Sequence, residues 1–439
     1  MSVFGGLSMG TVRILSLVLA PAAALAVPTA AQDIAVRAPK ILTLAGPPIR
    51  DGLVLVRGGR IAAVGPASKV KVPMTVKEIV LKKGVVMPAL ILAATSQGMD
   101  LPNENMPVTP FVEAADGIDP VQPFFEDCRR AGYGAVHVIP GNDCVLGGVG
   151  LVVRPFGPSI RAMTVADPRF MKISLSKSRM GRIQAVSILE KALGDMAREL
   201  ALRAREAREK REEALAKGEK PPEEKEKPLP PEKRDLAALV RGKGRAFFYC
   251  ASTDDLVYAL RLSRRYGFKL VPVLSNHCRD AAPILKEAGL PAVLDPTIEF
   301  EETDPDTGKK VRRCPAAELF RAGVPFAITT VYGPSLPERF PLWQAAAAVR
   351  GGVSPEAALA ALTTVPARIL GLEKRLGSLE KGKDGDLLLL SGDPLDALSW
   401  TEKLILQGKV VYDKTKDPVL KKIFPPPPAK KSAEKGGGK

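Results

Sequence analysis

The chain has 439 residues, of which 46% are hydrophobic, 26% charged and 5% aromatic. That length and balance suit one large domain with a smaller one, and exclude a chain too polar to build a core. The net charge is +16, but no basic motif is interleaved with aromatics, so neither nucleic acid nor a charged surface is the expected partner. Two histidines in the whole chain leave little for an imidazole-rich metal centre.

Arg13 precedes the apolar run Ile14 to Ala20, and alanine-rich cleavage options follow up to Ala31. The run is short for a membrane span. Residues 1–31 therefore read as a signal peptide, with the mature chain periplasmic or extracellular and without a span. Five cysteines are too few and scattered for a disulfide framework, and spacing leaves open whether Cys128 and Cys144 pair.

From Ala35 to Leu81 short strands alternate with glycine turns, and Gly58-Gly59 marks a hairpin. Gly84 to Leu92 is an apolar run of buried-strand length, ended by the small polar residues Thr95 to Gly98. A polar loop leads to a helix from Phe124 to Arg130 and a strand from Gly134 to Ile139. The glycine cluster at 147–150 reads as a tight turn, since it lacks the residues of a phosphate-binding loop.

Met180 to Lys217 is a long helical pattern with Ile183, Val186, Leu189, Leu193, Met196 and Leu200 on one apolar face. Residues 202–233 form a charged arm and a proline-rich linker. Strands at 245–250, 269–274, 291–294 and 324–330 then alternate with helices, which predicts a parallel sheet. Thr303 to Arg313 is a charged excursion, and Ser354-Pro355 opens a helix. Gly385–Leu390 and Leu404–Tyr412 are strands, and residues 424–439 form a disordered basic tail.

Several phrases resemble the amidohydrolase superfamily, in particular its imidazolonepropionase-like members. They are Asp51 to Gly65, Phe125 to Gly141, Gly352 to Leu359, Thr364 to Leu372, and the closing phrase Leu376-Gly-Ser-Leu-Glu-Lys-Gly-Lys-Asp-Gly-Asp-Leu387 with Ser391 to Asp396. The resemblance runs from about Ile41 to Tyr412. It implies an α/β fold, a (β/α)8 TIM-like barrel over 88–374 with a small composite β-sandwich formed by residues 33–87 and 375–415. Chemistry in such barrels sits at the carboxyl ends of the strands. Family members place there a histidine pair, further histidines and an aspartate, around a metal that activates water.

Residue by residue, that pattern falls on groups that cannot ligate. Pro88-Ala-Leu-Ile-Leu-Ala-Ala-Thr-Ser96 matches the family's Pro-Gly-Leu-Ile-Asp-Ala-His-x-His, so the histidine pair becomes Ala94 and Ser96. Later positions fall on Tyr249, Ala251, Leu274 and Val331. Aliphatic side chains have no lone pair, and a serine hydroxyl is a poor Zn²⁺ ligand. His277, Asn276 and His137 remain as pocket candidates. Cys250 or Cys278 beside His277 is a conceivable nucleophile or metal site, with a loop and core role as the plainer reading. A hydrogen-bonded core position is likewise the plainer reading of His137, while Tyr249 is expected to fill the space left by the lost ligands.

The expectation is an exported pseudoenzyme with no catalytic residues and no cofactor. It would serve as a binding or partner subunit, with an active amidohydrolase paralogue or a homo-oligomer as partner. The alternative is a divergent hydrolase of amide or cyclic amide carbon–nitrogen bonds, with a divalent metal such as Zn²⁺.

Overall fold

The computed structural model describes residues 32–176, 180–220, 228–303, 307–330 and 340–423. The segment 1–31 read as a signal peptide, the segment 424–439 read as a basic tail, residues 221–227 of the linker, residues 304–306 of the charged excursion and Val331 lie outside those residues. Among the described residues, no helix is long and apolar enough to cross a membrane.

The chain begins with β1 (Ile34–Ile41), β2 (Ile49–Arg57), β3 (Arg60–Pro66), β4 (Lys77–Val80) and β5 (Val85–Pro88). β2 and β3 pair antiparallel around Gly58 and Gly59, both at positive φ, as the hairpin reading requires. Pro88 ends β5, and the chain enters the apolar strand β6 (Leu90–Thr95), then β7 (Tyr133–Val138) after the helix Pro123–Ala131.

β8 (Leu146–Val149) and β9 (Leu151–Val153) follow, separated by Gly150 alone. The glycine cluster is therefore mostly strand, which corrects the tight turn expected there. Its glycines serve close approach: a Cβ on Gly148 would overlap Val112 O, and one on Gly150 would overlap the His137 ring. Strand β10 (Thr164–Ala166) and strand β11 (Phe170–Ser174) come next. Neither is signalled by the sequence reading.

The helix Arg182–Ala216 buries Ala185, Leu189, Leu193 and Met196. Ile183 is 89% exposed, so the apolar face starts later than the sequence pattern predicts. Beyond Leu200 the helix is solvated and carries i,i+4 ion pairs such as Arg205–Glu209 and Arg208–Glu212. Next come β12 (Arg245–Cys250), β13 (Lys269–Leu274), β14 (Ala292–Leu294), the hairpin β15 (Phe300–Thr303) with β16 (Lys310–Arg313), and β17 (Phe326–Ile328). The charged excursion is thus a two-stranded hairpin. Ser354 caps the helix Pro355–Ala360 by accepting the Ala357 N–H at 3.2 Å.

β18 (Leu387–Leu390), β19 (Thr401–Leu406) and β20 (Lys409–Asp413) return to the start of the chain. β18 pairs with β5, so both ends of the chain build one eight-stranded sheet in the order β20-β19-β18-β5-β1-β2-β3, with β4 beside β1. Its four leucines are fully buried and alternate between two apolar clusters. Each contributes about 1.5–3 kcal/mol of burial.

The remaining main strands form a four-stranded sheet, β10-β9-β7-β6, and a six-stranded sheet, β17-β14-β13-β12-β11-β8. β11, β12, β13, β14 and β17 pair in parallel in that sequence, as do β6 and β7. The two sheets meet where β8 continues into β9 through Gly150. At the other side, the Ile91 N–H donates to Leu362 O and the Ile328 N–H to Ala361 O. A turn of chain, in place of strand pairing, bridges β6 and β17 among the described residues.

Strand alternation then divides the side chains. Ile91, Phe247, Val271, Val273, Val293 and Ala327 enter one enclosed cluster, while their neighbours Leu90, Phe248, Leu274, Leu294 and Ile328 face the helices. A buried charge cluster fixes the closing phrase to this body. Arg154 Nη2, just after β9, donates to Asp384 Oδ2 at 2.8 Å and Asp386 Oδ2 at 2.9 Å, and Arg375 donates to the same Asp384 oxygen at 2.8 Å. Arg154→Met leaves buried Asp386 without a cationic partner and Asp384 with Arg375 alone, and is expected to cost about 3–5 kcal/mol in urea unfolding. Asp393→Ala, which breaks the exposed Lys40–Asp393 pair, is expected to cost under about 1 kcal/mol.

Candidate functional site

The carboxyl ends of β6, β11, β12, β13 and β14 converge above the enclosed cluster. β6 brings Ala94 against that cluster, with Ser96 just beyond its end. The register of β6 on β7 shifts between Leu92 and Thr95, a bulge that re-aims this end of the strand. On β12, Phe247 lies in the cluster, Tyr249 packs against it, and Ala251 follows the strand.

Leu274 faces the helix layer. Its neighbour Val273 lies in the enclosed cluster, and Ser275 follows the end of the strand. Ser275 is buried and its hydroxyl donates to Ala251 O at 2.9 Å.

His137 is wholly buried and lines no open pocket. Its Nδ1 lies 2.8 Å from Ala93 O, its Nε2 has no partner, and its ring meets the edges of Phe170 and Phe247. Burial, the largest influence, lowers its pKa from 6.5 to about 4. His277 is exposed beyond β13, with Asn276 half-buried beside it. Cys250 faces the helix layer, while the Cys278 thiol donates to Cys250 O at 3.0 Å. Burial raises both thiols, Cys278 to about 11, so neither is a ready thiolate. The structure does not assemble these groups into a nucleophile and base. All five cysteines are free, Cys128 and Cys144 included.

Of the polar groups that do converge, the sequence reading singled out Tyr249 and missed Lys172, Asn142 and Asp295. Lys172 on β11 is 4% exposed and donates to Asn142 Oδ1 at 2.6 Å. Its Nζ lies 5.6 Å from the centre of the Tyr249 ring. The Tyr249 hydroxyl donates to Asp295 Oδ2 at 3.1 Å, and Asp295 follows β14 directly. Burial pushes Lys172 down and Asp295 up from their ordinary values. The available signals were a lysine inside the apolar run Phe170-Met-Lys-Ile-Ser174 and an aspartate closing Ala292-Val-Leu294.

A catalytic metal of the kind the fold implies needs imidazole, thiolate or carboxylate groups converging. The donors at these strand ends are an amine, a phenol, an amide and one carboxyl already bonded to the phenol. Among the described residues, no three His, Cys, Asp or Glu side chains are grouped to hold a metal. The donor set does not fit the metal.

The Amidohydrolase family model matches residues 292–412. The chain is 31% identical to the imidazolonepropionase of Shouchella clausii over 166 residues, 34% of this chain and 35% of that protein. It is 28% identical to the imidazolonepropionase of Thermoplasma acidophilum over 32% of this chain and 40% of that one. Amidohydrolase tasK of Hapsidospora irregularis is 24% identical over 71% of this chain and 33% of its own length. These matches span roughly a third of the curated relatives. The crystal structure of an amidohydrolase from Thermotoga maritima is similar with a TM-score of 0.72 and 26% identity, over 87% of this chain and all 100% of that one.

His137 gives the site a pH signature. Its folded pKa lies below the unfolded value, so the unfolded chain takes up the proton first as pH falls. Its stabilising contribution is complete above the unfolded value of 6.5 and is lost as pH drops through about 4. The span amounts to about 3 kcal/mol. Urea midpoints measured across that window are expected to fall more steeply for the wild type than for His137→Gln.

Proposed function

Because the chain belongs to the amidohydrolase superfamily, as a hydrolase-like, imidazolonepropionase-like member, we propose that it is an exported binding subunit whose metal chemistry has been lost. The observation that carries this reading is the donor set at the strand ends. Ala94 and Ser96 stand where the resemblance calls for a histidine pair, and Tyr249 takes the place of another histidine and gives its hydroxyl to Asp295. A neutral phenol is a poor divalent-cation ligand, and burial raises the pKa of this one further.

In this reading the two inner sheets, bridged at Ala361–Leu362, serve as the (β/α)8 barrel, and the eight-stranded sheet belongs to a composite sandwich. The barrel mouth holds a ligand without cleaving it, whether the protein acts alone or beside an active relative. The half-buried rims of Asn142, Tyr249 and Asp295 support an opening at that end. The amino-terminal pattern supports export.

Elemental analysis of the untagged protein tests the proposal. After incubation with excess Zn²⁺ and dialysis, far less than one equivalent per chain is expected to remain. Retention of about one equivalent, with hydrolysis of an amide or cyclic amide that a chelator abolishes, would sink the reading in favour of a metal hydrolase.

A further inference from the structure

Lys172 presents an electrostatic problem that the rest of the chain does not solve. Its strand sends Phe170 into the enclosed apolar cluster, and the side chain two residues on rises from that floor toward the strand ends. An ammonium carries three donors and is held in a buried place only when they are met. Asn142 Oδ1 meets one, and the Tyr249 ring offers a weak π contact. Among the described residues, no carboxylate comes within 4.0 Å of Nζ. Asp295 contributes at longer range, but its Oδ2 is engaged by the Tyr249 hydroxyl.

An isolated core lysine would be replaced at little cost by an apolar residue, yet here the surroundings are built around it. The Gly147 backbone passes so close that an added Cβ would lie 3.3 Å from Lys172 Cβ and 2.9 Å from Cys144 Sγ. Asn142, on the loop after β7, places its amide oxygen on the ammonium. The half-buried Asn142, Tyr249 and Asp295 rim the group, so solvent reaches its edge.

We propose that Lys172 anchors a binding site for a small monocarboxylate, whose oxyanion completes the ammonium coordination that Asn142 begins. The Tyr249 ring forms one wall of the site. Asp295 limits the charge of the ligand, because a second negative group would face this carboxyl across the phenol. A monocarboxylate therefore fits better than a dicarboxylate or a phosphate. The slight exposure of Lys172 limits the size. The inference rests on the reading of the barrel mouth as a metal-free binding site.

The test uses the full mature chain in EDTA, with sodium acetate as probe and sodium chloride at equal ionic strength as control, followed by thermal unfolding. The wild type is expected to show an acetate-dependent rise in Tm beyond chloride. Lys172→Gln is expected to weaken apparent acetate affinity roughly tenfold or more. Asp295→Asn is expected to strengthen it, since the opposing carboxyl is removed. Coincident acetate and chloride curves for the wild type overturn the proposal, as does an acetate shift that survives Lys172→Gln. If Lys172→Gln does not fold, Asp295→Asn decides: unchanged or weaker acetate binding overturns the site. Metal analysis of the same samples separates the two readings. Stoichiometric metal with a Lys172-dependent shift persisting in EDTA removes the metal-free function and keeps the carboxylate site. A shift abolished by EDTA and restored by Zn²⁺ removes both.

Discussion

Arg154 holds this fold together at the point where its two halves could part. Its guanidinium, buried just beyond β9, binds both aspartates of the phrase Asp384-Gly-Asp386, and Arg375 binds the first of them again. Asp386 also accepts the Gln407 N–H at 2.9 Å through its other oxygen, so the turn between β19 and β20 is tied into the same cluster. Three charged groups in a low-dielectric place are costly to desolvate, and the geometry offsets this only while every partner stays. The closing phrase therefore serves registration: it fixes where β18 enters between β5 and β19, and with it the seating of the eight-stranded sheet on the rest.

This separates two kinds of residue that a family resemblance runs together. Asp384, Asp386 and the glycines around them answer to backbone geometry and buried charge. Ala94, Ser96 and Tyr249 lie at the strand ends, on strands that still pair with their neighbours, β6 through a bulge at that end. Ile91 still enters the enclosed cluster, Phe247 still lies below Tyr249, and β12 still pairs in register with β11 and β13. Function resides in sites placed on a fold, so likeness in the strands does not settle which groups stand at their ends.

The parts legible in the sequence are those whose signal is local. The Gly58-Gly59 hairpin, the Ser354-Pro355 helix start and the apolar strands at 245–250 and 269–274 each carry their cause within a few residues. The parts that escaped depend on distant contacts. Gly147, Gly148 and Gly150 look like a turn until Val112 and His137 are seen pressing on their backbone. Ile183 fits the helical period, but the body of the protein does not extend beneath it. Leu274 matched the family pattern by alignment, yet pleating turns it toward the helix layer and leaves Val273 on the enclosed side. Lys172 was missed because a charged residue in a short strand reads as exposed until the neighbouring strands are known to cover it.

The same pleating explains why the enclosed face can exchange chemistry without collapsing. Below the strand ends, the floor is apolar and packed from several strands, with His137 inserted between the Phe170 and Phe247 rings as a neutral group. That floor does not depend on anything bound above it. One layer up, each strand contributes one side chain, and the polar ones present, Lys172, Tyr249 and Asp295, lean on one another and on Asn142. Tyr249 packs against the apolar floor, and its hydroxyl gives the neighbouring Asp295 carboxyl a partner. A lysine near the face of the Tyr249 ring and a carboxyl on its hydroxyl give the strand ends the polarity on which the proposed monocarboxylate site rests.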